Sequence, residues 1–412
     1  NNTSGSDYSA ITWTTNMILD ANSRISLSNN DAGSGGEDST SGNTIFGYLA
    51  GAAIDSDVKN NTLFGHKAGT AINGGDWNVM VGEGAGKAVT DGHENVFVGQ
   101  SAGATTTSVG FAVGIGQAAM GSANVTSAAD GSVAVGASAL ASLTSGIGNV
   151  AVGYQALDAE DDGDKSTALG HQALTAQTGV SGEVSNTAIG YSAGTAISTG
   201  IKNVIIGSNT ALVATTVQNS VIIGQAACGD GNLVTSGTAT DSADGLVAIG
   251  RLAGYAAIST AGTTLVGMDS GKALTTGNYN TAVGYNSLIT EDTGSGNTAI
   301  GYQALKVCNN ATGGNTSVGK DSLLLVTTGY SNTAVGIGAG SSLETGINNV
   351  FIGRNVQPSG TGATNQVVIG GVDTTGVADN SVTLGNSSVT RIAIPNASMI
   401  GSQAPVSMAD DA

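Results

Sequence analysis

A short apolar triplet followed by glycine recurs along most of the chain, as in Thr298-Ala299-Ile300-Gly301. Twenty such glycines can be aligned between residues 47 and 385, and twelve of the nineteen intervals between them are 17 residues long. A unit of this length is too short for a pair of helices and is typical of one turn of a β-solenoid. The pattern therefore predicts an all-β chain of about twenty stacked coils over residues 43–386.

Two positions in each unit have a predicted structural role. The closing glycine is expected at a tight corner, because glycine adopts positive φ without steric cost; the glycines include Gly47, Gly65, Gly82, Gly99, Gly114, Gly153, Gly190, Gly284, Gly301, Gly336 and Gly353. Asparagine precedes the glycine by four residues in twelve units, and its stacked amides are expected to form a hydrogen-bonded ladder along the rod. The ladder residues are Asn43, Asn61, Asn78, Asn95, Asn149, Asn186, Asn203, Asn280, Asn297, Asn315, Asn332 and Asn349.

The triplet is apolar on both of its sides. Its first residue is Val or Thr in nineteen of twenty units, with Phe111 as the exception, and its third residue is always large and apolar. These two residues share one side of a strand, and the middle residue points to the other. We interpret the middle residues as an outer face that is covered by further copies of the chain; its candidates are Ala134, Ala151, Ala188, Ala282, Ala299 and Ala334. The rest of the unit, such as Ala304-Leu305, predicts a second short strand.

The ends of the chain depart from the repeat. Residues 1–42 are interpreted as a cap or attachment segment, with strands at Ile18-Leu19 and Arg24–Ser28 and a linker at Gly33–Gly42. Residues 387–412 are expected to hold a final strand within Asn386–Pro395 and a flexible tail at Ser402–Ala412.

Three insertions interrupt the period, at Ser122–Gly131, Gly179–Glu183 and Gly229–Gly245. They are expected to project as surface loops, where either tolerated variation or receptor binding can reside. An acidic turn covers Asp158–Asp164 within a unit of normal length. The candidate receptor-contacting residues are Asp158, Asp161, Asp162, Asp230, Asp241 and Asp244.

Composition narrows the possible partners. The net charge of −18 disfavours contact with nucleic acid or anionic lipid. No apolar run approaches the roughly 20 residues that span a bilayer, so membrane insertion is not expected. Cys228 and Cys308 have neither metal-site nor disulfide spacing, and we interpret them as small buried or loop residues.

The residues predict no enzyme, cofactor or metal site. His66 and His171 follow the closing glycine, at the position that Tyr154 and Tyr302 occupy in other units, whereas His93 lies in a turn. This polar-aromatic stripe is interpreted as packing between coils or chains, with stacking on sugar rings as the alternative. The segment Gly114–Gly121 lacks the Lys-Ser/Thr ending of a phosphate loop. Asp recurs at no fixed position, so the calcium-binding β-roll pattern is not matched.

The phrase N-[TS]-[AV]-[IV]-G-x-x-A resembles the head repeats of trimeric autotransporter adhesins. The longer NTAIGYQAL, followed by a turn, resembles repeats of bacteriophage tail-fibre and receptor-binding proteins. This resemblance covers about residues 43–386 and implies a left-handed parallel β-roll that assembles as a homotrimer. Ser381–Ile394 resembles the stretch that precedes a self-cleaving chaperone domain in such fibres. Because no such domain follows and residue 1 is not Met, we expect a processed or excised chain, either a mature fibre whose chaperone was removed or a shortened piece of a longer protein.

The expected function is that of a phage tail fibre on the virion, which contacts a host glycan or protein receptor through three identical chains. A bacterial surface adhesin or extracellular filament is the alternative. An ice-binding solenoid would require a regular Thr-x-Thr array, and Val often replaces the Thr of the triplet.

Overall fold

The repeat folds as one continuous parallel β-solenoid in a computed structural model that describes residues 25–26, 42–178, 182–229, 244–309 and 311–389. The strands are β1 (Ile25–Ser26), β2 (Thr44–Phe46), β3 (Thr62–Phe64), β4 (Val79–Val81), β5 (Val96–Val98), β6 (Val113–Ile115), β7 (Val133–Val135), β8 (Val150–Val152), β9 (Gly163–Asp164), β10 (Thr167–Leu169), β11 (Gly182–Glu183) and β12 (Thr187–Ile189). They continue as β13 (Val204–Ile206), β14 (Val221–Ile223), β15 (Val247–Ile249), β16 (Thr264–Val266), β17 (Thr281–Val283), β18 (Thr298–Ile300), β19 (Thr316–Val318), β20 (Thr333–Val335), β21 (Val350–Arg354), β22 (Val367–Val372) and β23 (Val382–Leu384).

One strand per coil builds the main sheet, and each pairs in parallel with the strand of the next coil. Thr281 pairs with Thr298, for example, at an offset of one 17-residue coil. The longer unit between β14 and β15 keeps the same register, since Val221 pairs with Val247. The all-β class, the parallel solenoid and the coil length are thus confirmed, with about 19 turns. No α-helix occurs among the described residues, and the 3₁₀ helix described is Ser127–Ala129.

The strand faces are the reverse of the predicted ones. The middle residue of each triplet points into the coil, and Ala134, Ala151, Ala188, Ala282, Ala299 and Ala334 are all fully buried within one chain. The prediction that these alanines form the inter-chain face is therefore wrong. Large residues at the middle position also point inward, since Phe97 and Phe351 are fully buried, whereas the first and third residues of the triplet point outward. Ile300, at the third position of β18, is 39% exposed.

The corner after each strand requires glycine. Gly301 has a φ of 137°, and a Cβ there would lie 2.5 Å from the carbonyl oxygen of Gly319 in the next coil. Both the backbone conformation and the close approach exclude a side chain. In the fifth coil the corner glycine is Gly116, and Gly114 is the buried middle residue of β6. With this correction Val113 is the first triplet residue, and the apparent exception at Phe111 disappears.

The predicted second strand is a turn. The backbone around Ala304 alternates in handedness, because Gln303 and Leu305 have φ values of 55° and 49°. The segment nevertheless bonds from coil to coil. Gln303 donates its N–H to the Tyr285 carbonyl at 2.9 Å, and Leu305 donates to Ser322 at 3.1 Å.

The ends and insertions are described in part. Within the expected strand at Arg24–Ser28, β1 pairs antiparallel with β2. The insertion Ser122–Gly131 does not simply project, since Val125 and Ala129 are buried in the core. The other end-segment strands, most of the linker and of the final strand, the flexible tail, and residues 230–243 of the longest insertion lie outside the described residues.

Candidate interaction face and the asparagine ladder beneath it

The asparagines that precede the strands form a buried hydrogen-bonded ladder. Asn78 shows the repeating geometry: its backbone N–H and its Nδ2 donate to Asn61 Oδ1 at 2.9 and 3.0 Å. Its Nδ2 also donates to the Gly92 carbonyl at 2.8 Å. All twelve ladder asparagines are buried. Apart from Asn297, whose buried Nδ2 has no hydrogen-bond partner among the described residues, these side chains satisfy polar groups of their own coil and of its neighbours, and they fix where the strand begins.

The ladder is interrupted where another residue replaces asparagine. Serine serves as a shorter substitute, as at Ser132, whose Oγ donates to the Gly146 carbonyl at 3.2 Å and accepts the Asn149 N–H at 3.3 Å. Ala112 and Leu246 contribute no side-chain hydrogen bond, although the Ala112 N–H still donates to Asn95 Oδ1. The ladder therefore stabilises the coil without being required in every turn.

The first and third residues of β2–β8, β10 and β12–β23 form what we call the outer strand face. The third position is a continuous apolar column of twenty side chains, all exposed or half-buried. Leu169 is 47% exposed and Phe64 53% exposed, and the Phe46 and Phe64 rings stack at 4.9 Å. At the usual strand spacing of about 4.8 Å, this column runs for roughly 90 Å. Exposed apolar surfaces of this extent mark interaction sites.

The aromatic residues that follow the corner glycines stack along the rod beside this face. His171 lies between the rings of Tyr154 and Tyr191, with centroids 5.0 and 5.3 Å away. Tyr285 and Tyr302 stack at 5.6 Å, as do Tyr48 and His66. Neighbouring rings thus contact each other between coils, while Tyr154 and Tyr302 remain 48% and 46% exposed. His93 lies in a different column, edge-on to Phe111 at 5.3 Å.

The acidic turn brings three carboxylates together. Oxygen atoms of Glu160, Asp161 and Asp162 lie within 4.8 Å of one another, which is close enough to hold a metal ion. Glu160, however, is buried and already accepts a hydrogen bond from the Gly163 N–H at 2.6 Å and another from Gln177 Nε2. Burial raises the pKa of Glu160. Of the other candidate aspartates, Asp158 and Asp244 are half-buried, while Asp230 and Asp241 lie outside the described residues.

One position in the repeat holds aspartate in several coils and was not predicted. The expectation that Asp has no fixed position is therefore wrong. Six residues before the corner glycine, Asp76, Asp130, Asp164 and Asp379 each accept a backbone N–H from the preceding coil at 2.6–2.8 Å. Asn278 makes the same bond to the Ala261 N–H at 2.8 Å. The position could have been read from the glycine alignment itself, because these aspartates lie six residues before Gly82, Gly136, Gly170 and Gly385. The carboxylates at this position accept backbone N–H groups of the preceding coil, so their role is structural.

The two cysteines are buried, unpaired and far apart, as expected. Burial raises the pKa of the Cys228 thiol to about 12. Burial also raises the pKa of the Cys308 thiol, and the nearby Glu291 carboxylate raises it further. Neither thiol is therefore suited to act as a thiolate nucleophile.

No protein-family model matches the chain, and no curated protein was found to be similar to it. The described part of the chain has no helix that is long and apolar enough to cross a membrane.

Proposed function

We propose that the chain is a subunit of a homotrimeric adhesive fibre, most simply a phage tail fibre whose β-roll shaft holds receptor-contacting surfaces away from the virion. The observation that supports this best is the outer strand face. The interior of each coil is already filled, yet an apolar column on the outside is exposed over twenty coils. Covering it with identical columns of other copies would bury apolar surface along the whole rod.

The trimeric stoichiometry and the left-handed winding of the coils are inferred from the resemblance to adhesin heads and tail fibres. Three parallel rods that share an apolar axis would present every exposed turn in triplicate. Adhesion would then gain strength from simultaneous weak contacts. A bacterial surface adhesin or extracellular filament would use the same face, and virion genes beside the coding sequence would favour the tail fibre.

The test is the mass of the chain in solution by light scattering. A trimer of the 40.0 kDa chain has a mass of 120 kDa, three times 40.0. The double variant Ile300→Asp/Val335→Asp places charge on the outer strand face, two coils apart, and should yield folded monomers with an unchanged circular dichroism spectrum. Thr293→Asp, at an exposed position in a turn, is the matched control and should remain trimeric. A wild-type chain that is monomeric at micromolar concentration would overturn the proposal.

A further inference from the structure

One position in every coil has a left-handed backbone. The residue five before the corner glycine, directly before the ladder residue, has a φ between 52° and 77° in all twenty coils. We call it the pre-ladder position. Twelve of its twenty residues are Gly or Asn, which tolerate this conformation. The remaining coils place other side chains in a backbone that disfavours them.

Three of these residues are aromatic and face solvent. Trp77, Phe111 and Tyr279 have φ values of 56°, 57° and 58° and are 55%, 53% and 69% exposed. Bulky residues are genuine outliers in this region of the backbone. Their exposure shows that burial within the chain does not fully offset the strain. Residues held in such conformations cluster at functional sites, where the strained side chain contributes to binding.

The backbone at the pre-ladder position cannot relax. The Trp77 N–H donates to the Lys59 carbonyl at 3.1 Å, and the Phe111 N–H donates to the His93 carbonyl at 3.1 Å. Asp76, just before Trp77, accepts the Lys59 N–H at 2.6 Å. The backbone bond repeats from coil to coil, as from the Tyr279 N–H to the Ala261 carbonyl at 2.9 Å, and fixes the direction in which each aromatic side chain leaves the backbone.

Two of the three aromatics belong to one patch, which we define as Trp77, His93, Glu94 and Phe111. Trp77 and Phe111 lie two coils apart, or roughly 10 Å at the usual strand spacing. The exposed Glu94 occupies the pre-ladder position between them, and the half-buried His93 packs edge-on to the Phe111 ring. Two fixed apolar rings thus flank a carboxylate and an imidazole. Tyr279 differs, because its pre-ladder neighbours are Gly262 and Gly296.

We infer that the aromatic patch Trp77–His93–Glu94–Phe111 binds a neutral oligosaccharide. Aromatic faces pack on the C–H surfaces of sugar rings, and a carboxylate and an imidazole between them can hydrogen-bond to sugar hydroxyls. A polyanionic ligand is disfavoured by Glu94 and by the net charge of −18. A contact between copies of the chain would have to recur along the rod, whereas most other coils have Gly, Asn, Lys or Ser at this position. The inference rests on the proposed adhesive function and assigns its receptor class.

The test pairs loss of binding with retained folding. The full chain is applied to an array of neutral glucose, galactose, mannose and N-acetylglucosamine oligosaccharides, with heparin fragments and polysialic acid as anionic counterparts. The variant Trp77→Asn/Phe111→Asn introduces the residue that five other coils carry at this position. This variant should have a melting temperature no lower than that of the wild type. Its affinity for the neutral oligosaccharides that the wild type binds should be at least tenfold lower. Tyr279→Asn relieves the same strain outside the patch and should bind like wild type.

Each contrary outcome has a distinct meaning. If the wild-type chain binds no neutral oligosaccharide, or if the double variant binds as well as wild type, the inference is wrong. If the double variant loses its oligomeric mass, the patch is a contact between copies, and the inference is also wrong. The light-scattering mass of the wild-type chain tests the trimer separately, so failure of the sugar site leaves the proposed fibre standing.

Discussion

Two regions of the rod share one backbone but have different interiors. In the coils from Asn297 to Asn349 the ladder is an unbroken series of asparagines, and Asn332 and Asn349 bond to the asparagine before them through backbone and side chain. In the coils between Asn149 and Asn186 the ladder residue is Ser166, whose shorter side chain reaches the next coil through a long contact of 3.4 Å from Oγ to the Asn186 N–H. We refer to these as the regular region and the polar region.

In the polar region, the side chains of Gln177 and Glu160 supply hydrogen bonds where Ser166 lacks the amide of an asparagine. Gln177 Nε2 donates to Ser166 Oγ at 3.0 Å and to the Glu160 carboxylate, and Asn186 Nδ2 donates to Gln177 Oε1 at 2.9 Å. Glu160 and Gln177 occupy the core position that Leu143 and Ile197 fill in adjacent coils. A buried polar network thus stands where the regular region has a simple ladder and, at Leu343, an apolar core residue.

The backbone is unaffected by this exchange. Thr167 pairs with Thr187 in the polar region as Thr316 pairs with Thr333 in the regular one. The corner glycines also agree, with φ values of 147° at Gly170 and 137° at Gly319. The corners and the strand pairing therefore define the coil, and the interior only has to fill it with satisfied groups.

The largest expected effect comes from changing the shared corner. Gly301→Ala in the regular region and Gly170→Ala in the polar region place a Cβ 2.5 and 2.2 Å from a carbonyl oxygen of the next coil. Each should lower the free energy of unfolding by about 3 kcal/mol or more, measured by urea denaturation. Gly296→Ala, at a positive φ with open space around the site, is the control and should cost about 1 kcal/mol. A large loss in only one region would show that the interior also defines the corner.

A smaller effect is expected from the ladder, and it should differ between the regions. Asn332→Ala removes the acceptor of the Asn349 N–H at 3.0 Å and the donor to the Gly346 carbonyl at 2.8 Å. Leaving these buried groups unsatisfied should cost about 2–3 kcal/mol and speed local amide hydrogen exchange. Ser166→Ala removes the acceptor of a long 3.4 Å contact from the Asn186 N–H and of a 3.0 Å bond from Gln177 Nε2. Because Gln177 Nε2 keeps its bond to Glu160, this change should cost about 1 kcal/mol. Equal losses at both sites would argue that chain position, and not hydrogen-bond geometry, determines the cost.

The sequence predicted the period, the β-solenoid and the asparagine ladder, because these follow from spacing and residue type. It could not tell which side of the strand is inside. Alternation separates Ala299 from Thr298 and Ile300, but both sides are apolar, so the alternation alone does not show which side is inside. Gly114 and Gly116 were confused because both the inward position and the corner can hold glycine.

Other features depend on contacts between coils that no local pattern shows. The left-handed pre-ladder position was detectable as a column rich in Gly and Asn, but the strain at Trp77 and Phe111 becomes apparent only with the backbone angles. The network of Glu160, Gln177 and Ser166 joins residues 11 and 17 positions apart. Nothing in its residue types distinguishes it from a solvated polar face.

The smallest expected effect is a pH dependence confined to the polar region. Burial raises the pKa of Glu160 above the ordinary glutamate value of about 4.3, and the nearby Asp161 charge adds to the shift. The folded state therefore binds the proton more tightly than the unfolded state. This contribution to stability is fully present below about pH 4.3 and is lost as the pH rises through the folded-state pKa.

The variant Glu160→Leu/Gln177→Ile restores the apolar side chains found in the coils on either side and has no group that titrates there. Hydrogen exchange of the Gly163 and Asn186 amides, followed from pH 4 to pH 8 and corrected for the intrinsic exchange rate, should show the wild-type coil losing stability relative to this variant as the pH rises. Because Asp158, Asp161 and Asp162 remain in both proteins, their own titration largely cancels in the difference. The amide of Asn349 in the regular region should show no such difference. If the two proteins keep a constant stability difference across this range, the Glu160 carboxyl group does not change its ionisation there, and the polar network is maintained by its hydrogen bonds alone.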